Sequence, residues 1–187
     1  MSKLPTVAII GQANVGKSSL FNRLTRSRTA IVAREAGTTR DNVVGKVSYK
    51  RRDVDSAPSD DYSQFWLIDT AGLKTAEDKF EATIQDQIAD ASAAADVILV
   101  TVDSTAYPSD ADRQLAKKAL KSGKPVILIA NKADLKGSLS IDEFKRLGIK
   151  NIIKTSAEHS IGISELLDSI AELIPPATET APEIGRA

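Results

Sequence analysis

The chain of 187 residues contains no cysteine, which excludes disulfide bridges and thiolate metal sites. It has no excess charge of either sign: 25 basic and 25 acidic side chains give a formal net charge of zero. No broad attraction to nucleic acid or to a membrane surface follows, so any contact with RNA would need a local patch or a partner. Long apolar runs are missing too. The longest, residues 97–100 and 126–130, fall far short of the roughly 20 residues that cross a bilayer. From Met1 the chain runs at once into a strand-like stretch, leaving no room for a signal peptide. The expectation is a soluble, cytoplasmic protein without membrane contact, monomeric as an isolated domain, with the length of one full-sized core.

What the chain does have is concentrated in residues 4–21, LPTVAIIGQANVGKSSLF. An apolar run, Val7 to Ile10, breaks at Gly11. The loop Gly11-Gln12-Ala13-Asn14-Val15-Gly16-Lys17-Ser18 then opens a helical pattern carrying Leu20, Phe21 and Leu24. This matches G-x-x-x-x-G-K-[ST] between a strand and a helix, the context that makes such a match meaningful. The glycines let the backbone curl so that successive N–H groups point at one anion near a helix N-terminus. Asn14, Val15, Gly16, Lys17, Ser18 and Ser19 are thus the expected phosphate-binding stretch. Lys17 would reach the β and γ phosphates and the Ser18 hydroxyl would hold Mg²⁺. A strand–helix turn that binds nothing is the bland alternative, and eight matched positions weigh against it.

Further along, strand-like and helix-like patterns alternate. Residues 27–40 read as a polar connection, 41–50 as a half-exposed edge strand, 51–64 as a long hairpin loop and 65–68 as the next strand. Phe80, Ile84, Ile88 and Ala91 recur at helical spacing, and residues 96–102 read as a buried strand. Ser109 and Asp112 open a helix with Leu115, Ala119 and Leu120 on its apolar face. A buried strand over 126–130 follows. Ser140 and Glu143 read as the capping box of a short helix that Gly148 ends. Ile152 and Ile153 form the last strand. The final helix aligns Ile163, Leu166, Leu167, Ile170 and Leu173, and Trp66 is expected in the core. Residues 1–174 therefore read as one domain and 175–187, rich in Pro, Thr, Glu and Ala, as a flexible linker. The alternation predicts an α/β fold: six strands in a mostly parallel sheet, one antiparallel strand at its edge, helices on both faces. Ligands of such sheets sit at the carboxyl ends of the strands, and every motif here follows a strand.

Two of those motifs add chemistry to the loop. Asp69-Thr70-Ala71-Gly72 ends a strand on a carboxylate that could hold Mg²⁺ through water, with the Gly72 N–H and the adjacent Leu73 against the γ-phosphate. A D-x-x-G turn alone is common; forty-odd residues after a phosphate loop it is much less so. Asn131-Lys132-Ala133-Asp134 addresses the base. A carboxylate at Asp134 can accept from both the ring N–H and the exocyclic amine of guanine, whereas adenine offers neither donor there. Asn131 would orient the loop or bond the base edge, and the Lys132 stem would cover the base face. Ser156-Ala157 would offer an N–H to the guanine oxygen, although two small residues are a weak signal. Thr38 and Thr39 are candidates for a threonine that closes over Mg²⁺, as loops ordered by a γ-phosphate do. An ordinary polar loop explains them equally well. His159, the only histidine, is not needed for phosphoryl transfer.

Together these motifs resemble translation-factor-related GTPases from about residue 5 to residue 174. Within them, GQANVGKSSLFNRL, AIVAREAGTTRD, DTAGL, NKAD and SAEHSIGISELLDSI look most like the first G domain of the Der (EngA) family, bacterial tandem GTPases of large ribosomal subunit assembly. The resemblance implies a GTP-hydrolysing switch with a Ras-like P-loop fold, using GTP or GDP with Mg²⁺. It makes Thr39 the switch threonine and implies partners in the large subunit or its rRNA, reached through a second G domain and an RNA-binding domain beyond the linker. TrmE-like tRNA-modification GTPases share the GTTRD segment and are the nearest alternative. From other classes come a P-loop kinase, which would leave Asp134 without a purpose, and a nucleotide-gated docking module with negligible turnover.

Many GTPases carry a glutamine after D-x-x-G to orient the attacking water, but Leu73 has no polar atom with which to do so. Charge must then come from a partner's arginine or from a monovalent cation at the phosphates. Asn14 could ligate such a cation through its amide oxygen, or merely cap the loop. In GTPases that this chain resembles, potassium fills that role. The expected catalytic set is Lys17, Thr39, Gly72 and Asn14, with Ser18, Thr39 and Asp69 on Mg²⁺ and Asn14 on K⁺.

Overall fold

Runs of branched and aliphatic residues interrupted by turns fold as the alternation predicts, in a computed structural model that describes residues 4–26, 32–34, 43–50, 62–69, 89, 91 and 93–174. The strands are β1 (Thr6–Gly11), β2 (Val32–Arg34), β3 (Val43–Lys50), β4 (Tyr62–Asp69), β5 (Val97–Asp103), β6 (Val126–Asn131) and β7 (Ile152–Lys154). Between them lie α1 (Lys17–Arg26), α2 (Asp110–Lys121), a 3-10 helix (Ile141–Leu147) and α3 (Ile163–Leu173). The sheet order is β2-β3-β4-β1-β5-β6-β7, and β3 alone runs against the other strands.

The central strands are apolar at nearly every position because both of their faces are covered. Successive side chains point to opposite faces, so each strand feeds two cores. Val7 and Ile9 of β1, Val97 and Leu99 of β5, and Ile127 and Ile129 of β6 pack with Leu20, Phe21 and Leu24 of α1 and Leu166 and Ile170 of α3. Their neighbours Ala8, Ile10, Ile98, Val100 and Leu128 pack with Leu115 and Ala119 of α2 and with Phe144 of the 3-10 helix. The fully buried Leu99 side chain is typical of these positions. No helix among the described residues is long and apolar enough to cross a membrane.

The six expected strands and the single antiparallel one are present, and three details differ. Residues Val32–Arg34, expected within a polar connection, form a seventh strand outside β3, which is therefore not the edge. A strand of three residues is too short to show a period of two. The expected capping box at Ser140 does not form: the Glu143 N–H bonds the Ser140 carbonyl at 3.2 Å in a 3-10 turn, and so is not left for the hydroxyl. By contrast, Ser109 and Asp112 make the full reciprocal box at the start of α2. Trp66 is only half-buried, and Leu120 and Leu173 lie at the exposed margins of their helix stripes. Of the hairpin loop expected over 51–64, residues 62–64 belong to β4; positions 51–61, and Phe80, Ile84 and Ile88 of the expected helical stripe, lie outside the described residues.

Candidate nucleotide site

Strand register brings the motif residues to one end of the sheet. Asp69 of β4 lies opposite Ile9, Gly11 of β1 opposite Thr101, and Asp103 of β5 opposite Asn131 of β6. After Gly11 the backbone turns through Asn14, whose φ of 65° is left-handed, and Gly16, whose φ is 95°. A short amide side chain tolerates the first and glycine the second. The Leu20 N–H then bonds the Gly16 carbonyl at 2.9 Å, opening α1 with Ser18 and Ser19 exposed in its first turn.

Lys17 is buried beneath this loop, and its Nζ donates to the Gly11 and Gln12 carbonyls at 2.7 and 2.6 Å. Burial pulls its pKa below the usual lysine value, partly offset by the negative charge of Asp69, itself buried at the end of β4. A cation and a hard-oxygen carboxylate therefore converge under one backbone loop. Gln12 ties that loop sideways: its Nε2 donates to Ser109 Oγ and Asp112 Oδ1, both at 2.7 Å, in the capping box of α2.

The Asn131-Lys132-Ala133-Asp134 segment is bonded to the same loop. Asn131, buried at the end of β6, donates from Nδ2 to the Val15 carbonyl at 3.0 Å, while its Oδ1 accepts from Thr155 Oγ1 at 3.0 Å. Lys132 (φ 66°) donates from Nζ to the Asn14 carbonyl at 2.7 Å and to Asp103 Oδ2 at 3.0 Å. Asp134 keeps only 17% of its side chain accessible and meets His159 Nε2 at 3.3 Å. Ser156 and Ala157 are buried, in a loop closed by paired bonds between Ser156 and Ile161. Arg23 of α1 holds that loop, donating to the Ala157 carbonyl at 2.6 Å and the Glu158 carbonyl at 2.9 Å.

Burial works against the charge of Asp103, but the Thr105 hydroxyl and N–H and the Lys132 ammonium outweigh it and hold its pKa below the usual carboxylate value. A depressed carboxylate stabilises the fold above its unfolded pKa of about 3.9 and loses that contribution as pH falls through the folded value. The stability difference between the parent and Asp103→Asn, read from urea midpoints, should therefore shrink as pH drops below about 4. A difference that does not change with pH would show that the charge contributes nothing.

The structure thus brings together Asn14, Val15, Gly16, Lys17, Ser18, Ser19, Asp69, Asn131, Lys132, Asp134, Ser156 and Ala157. Thr39, Gly72 and Leu73 lie outside the described residues. Gln12, Arg23, Asp103 and Thr155 were not foreseen as parts of the site. Asp103 and Thr155 carried a legible signal, each being a polar residue just at or beyond the end of a buried strand. The bonds of Gln12 and Arg23 span 97 to 135 positions, and no local pattern marks them.

A mostly parallel sheet with helices on both faces, and a phosphate-type loop bonded to an N-K-x-D loop at its carboxyl edge, define a Ras-like P-loop G domain. Residues 6–132 match the family described as 50S ribosome-binding GTPase, and the chain belongs to that family. Among curated proteins, GTPase Der of Porphyromonas gingivalis is 40% identical over 187 residues, covering 96% of this chain and 40% of that protein. The chain spans about two fifths of the length of the curated relatives it matches. Among solved structures, Era of Aquifex aeolicus bound to GDP.AlF4⁻ aligns with a TM-score of 0.67 and 30% identity, over 92% of this chain and 57% of that one. Era in complex with MgGDPNP and a segment of 16S ribosomal RNA aligns at 0.66 and 29%, over 94% and 58%.

Proposed function

We propose that this chain binds and hydrolyses GTP as the first G domain of a Der-type switch in large ribosomal subunit assembly. The observation that carries the reading is the bonding of two loops 116 and 118 positions apart: Asn131 to the Val15 carbonyl and Lys132 to the Asn14 carbonyl. A base held at Asp134 and phosphates held over residues 14–19 would belong to one ligand. Asp134 supplies the acceptor pair that guanine needs, and Ser156-Ala157 the backbone opposite the guanine oxygen. Lys17 is the cation for the β and γ phosphates.

The donor set suits Mg²⁺: the Ser18 hydroxyl and the Asp69 carboxylate are hard oxygens beside Lys17, with Thr39 the expected third. Mg²⁺ there would neutralise charge on the β and γ oxygens. Gly72 would present an N–H to the γ-phosphate. The resemblance to Der, and the ribosomal RNA in one Era complex, support a ribosomal partner reached through further domains, in the cytoplasm. Calorimetry with GTP, GDP and ATP tests the guanine reading, and equal ATP binding would overturn it. Single-turnover hydrolysis separates the switch from a docking module that does not turn over.

Asn14 is exposed at the crown of the loop, and its left-handed backbone turns the chain there. With Leu73 unable to orient water, a potassium ion on the Asn14 amide oxygen would supply the missing charge. Hydrolysis should be slow in sodium, about tenfold or more faster in potassium at matched ionic strength, and insensitive to the exchange in Asn14→Ala, with GTP binding retained. Equal rates in the two salts would leave an arginine from a partner as the remaining source.

A further inference from the structure

Phosphoryl transfer does not need His159, yet its Nε2 lies 3.3 Å from Asp134 Oδ2, on the carboxylate assigned to guanine. The loop that carries it is anchored on three sides. Ser156 and Ile161 exchange bonds at 3.0 and 3.1 Å, the His159 N–H donates to Ser156 Oγ at 3.2 Å, and Arg23 grips the Ala157 and Glu158 carbonyls. The imidazole is therefore held at Asp134 by a built loop, although 62% of its side chain meets solvent.

We infer that protonation of His159 and guanine binding at Asp134 oppose one another, making this histidine an affinity-determining residue of the base site. The inference rests on the assignment of guanine to Asp134. An imidazole is the side chain whose charge ordinarily changes between pH 5 and 8. The neutral ring offers Asp134 at most one uncharged donor; the imidazolium offers a charged one. Guanine is an uncharged ligand that relies on the full negative charge of the same carboxylate. A carboxylate already accepting from a cation is a weaker acceptor for the base, whether the ring stays or is displaced. By linkage the effect is reciprocal, so bound nucleotide makes His159 harder to protonate.

Among the described residues, the charged neighbours leave this sign unchanged. Glu158 contributes a second carboxylate oxygen within 4.8 Å of the imidazole and of Asp134, and it too is an acceptor for the ring. The Arg23 guanidinium is engaged with backbone carbonyls, and the Lys132 ammonium with Asn14 and Asp103.

Because the chain has one histidine, its imidazole proton resonances need no assignment. Titrating the whole chain by NMR with and without GDP should show the midpoint about half a pH unit lower with GDP bound. In parallel, calorimetry from pH 8 to pH 5.5 should show GDP binding weaken roughly three- to fivefold more in the parent than in His159→Gln, the range of a partly exposed ion pair. Protonation of the nucleotide's own phosphate is common to both proteins and cancels. An unmoved midpoint, or identical pH profiles, would overturn the inference. Asp134→Asn separates the two layers. If GDP affinity survives that change, the guanine assignment itself fails; if it is lost while the His159 midpoint in the parent ignores GDP, only the opposition fails. Should His159→Gln not fold, the NMR titration of the parent decides alone.

Discussion

Replacing Asp134 by asparagine should cost about 2–4 kcal/mol of GTP affinity, roughly a 30- to 700-fold loss. In the proposed site the carboxylate would accept two hydrogen bonds from guanine, one at each oxygen. Asparagine keeps one acceptor and turns a donor toward the exocyclic amine, leaving two N–H groups facing each other in a largely covered site. The size of the loss follows from that mismatch: a charged hydrogen bond disappears and a donor is left facing a donor. Xanthine carries an oxygen where guanine carries the amine, so the variant should recover affinity for xanthosine triphosphate. Calorimetry of the two nucleotides on the two proteins gives a crossed pattern if Asp134 reads the base. Unchanged GTP binding would remove guanine from this position. Stability should barely move, because the carboxylate's described partner is the solvent-facing His159.

Gly16→Ala should be as damaging by a different route. A Cβ at Gly16 would stand 2.3 Å from Asn131 Nδ2, and the backbone there has a φ of 95°, which side chains other than hydrogen rarely tolerate. The obstructing atom cannot simply swing away. Asn131 is buried and held at both ends, by the Val15 carbonyl and the Thr155 hydroxyl. Making room means giving up those bonds and straining the loop, on the order of 3 kcal/mol or more. Since the broken bond joins the phosphate loop to the base loop, nucleotide binding should fall together with the urea midpoint. Gly123→Ala is a useful comparison, having a φ of 75° but no neighbour within 4 Å of the added carbon. It should cost only the backbone term and leave nucleotide affinity alone. If Gly16→Ala behaved like Gly123→Ala, the join between the loops would be irrelevant to binding.

The parts of this molecule that the sequence disclosed are those in which few residues carry the information. Val7 to Ile10 and Val126 to Ala130 read as buried strands because a strand covered on both faces needs apolar residues throughout. The loop from Gly11 to Ser18 read as a phosphate cradle because its fixed positions are set by backbone geometry. Ser109 and Asp112 were legible as a cap since both ends of that interaction lie within one turn. Ser140 and Glu143 have the same spacing, yet the chain winds into a 3-10 turn there and the pattern misleads. β2 went unseen because three residues cannot show alternation, and its pairing with β3 is a tertiary event. Lys132 was expected over the face of the base; its bonds to Asn14 and Asp103 depend on how far apart the ends of β1, β5 and β6 stand. Such distances are products of the assembled sheet, so Gln12 and Arg23 gave no sign of their part in the site.

The register that brings Asp69, Gly11, Asn131 and Thr155 to one edge also sets a thermodynamic condition. These residues lie at or just past the ends of strands between positions 11 and 155, and the full set is assembled only when β4, β1, β5, β6 and β7 have joined. The unfolded chain has nothing with which to imitate the pocket, so its affinity for nucleotide is negligible. Ligand then acts on the folding equilibrium by mass action, adding about 2.7 kcal/mol at a hundred times the dissociation constant. That is a sizeable share of the 5–15 kcal/mol by which domains ordinarily stay folded. With guanine nucleotide as the proposed ligand, resistance of this domain to heat and to proteolysis should therefore follow the nucleotide concentration around it.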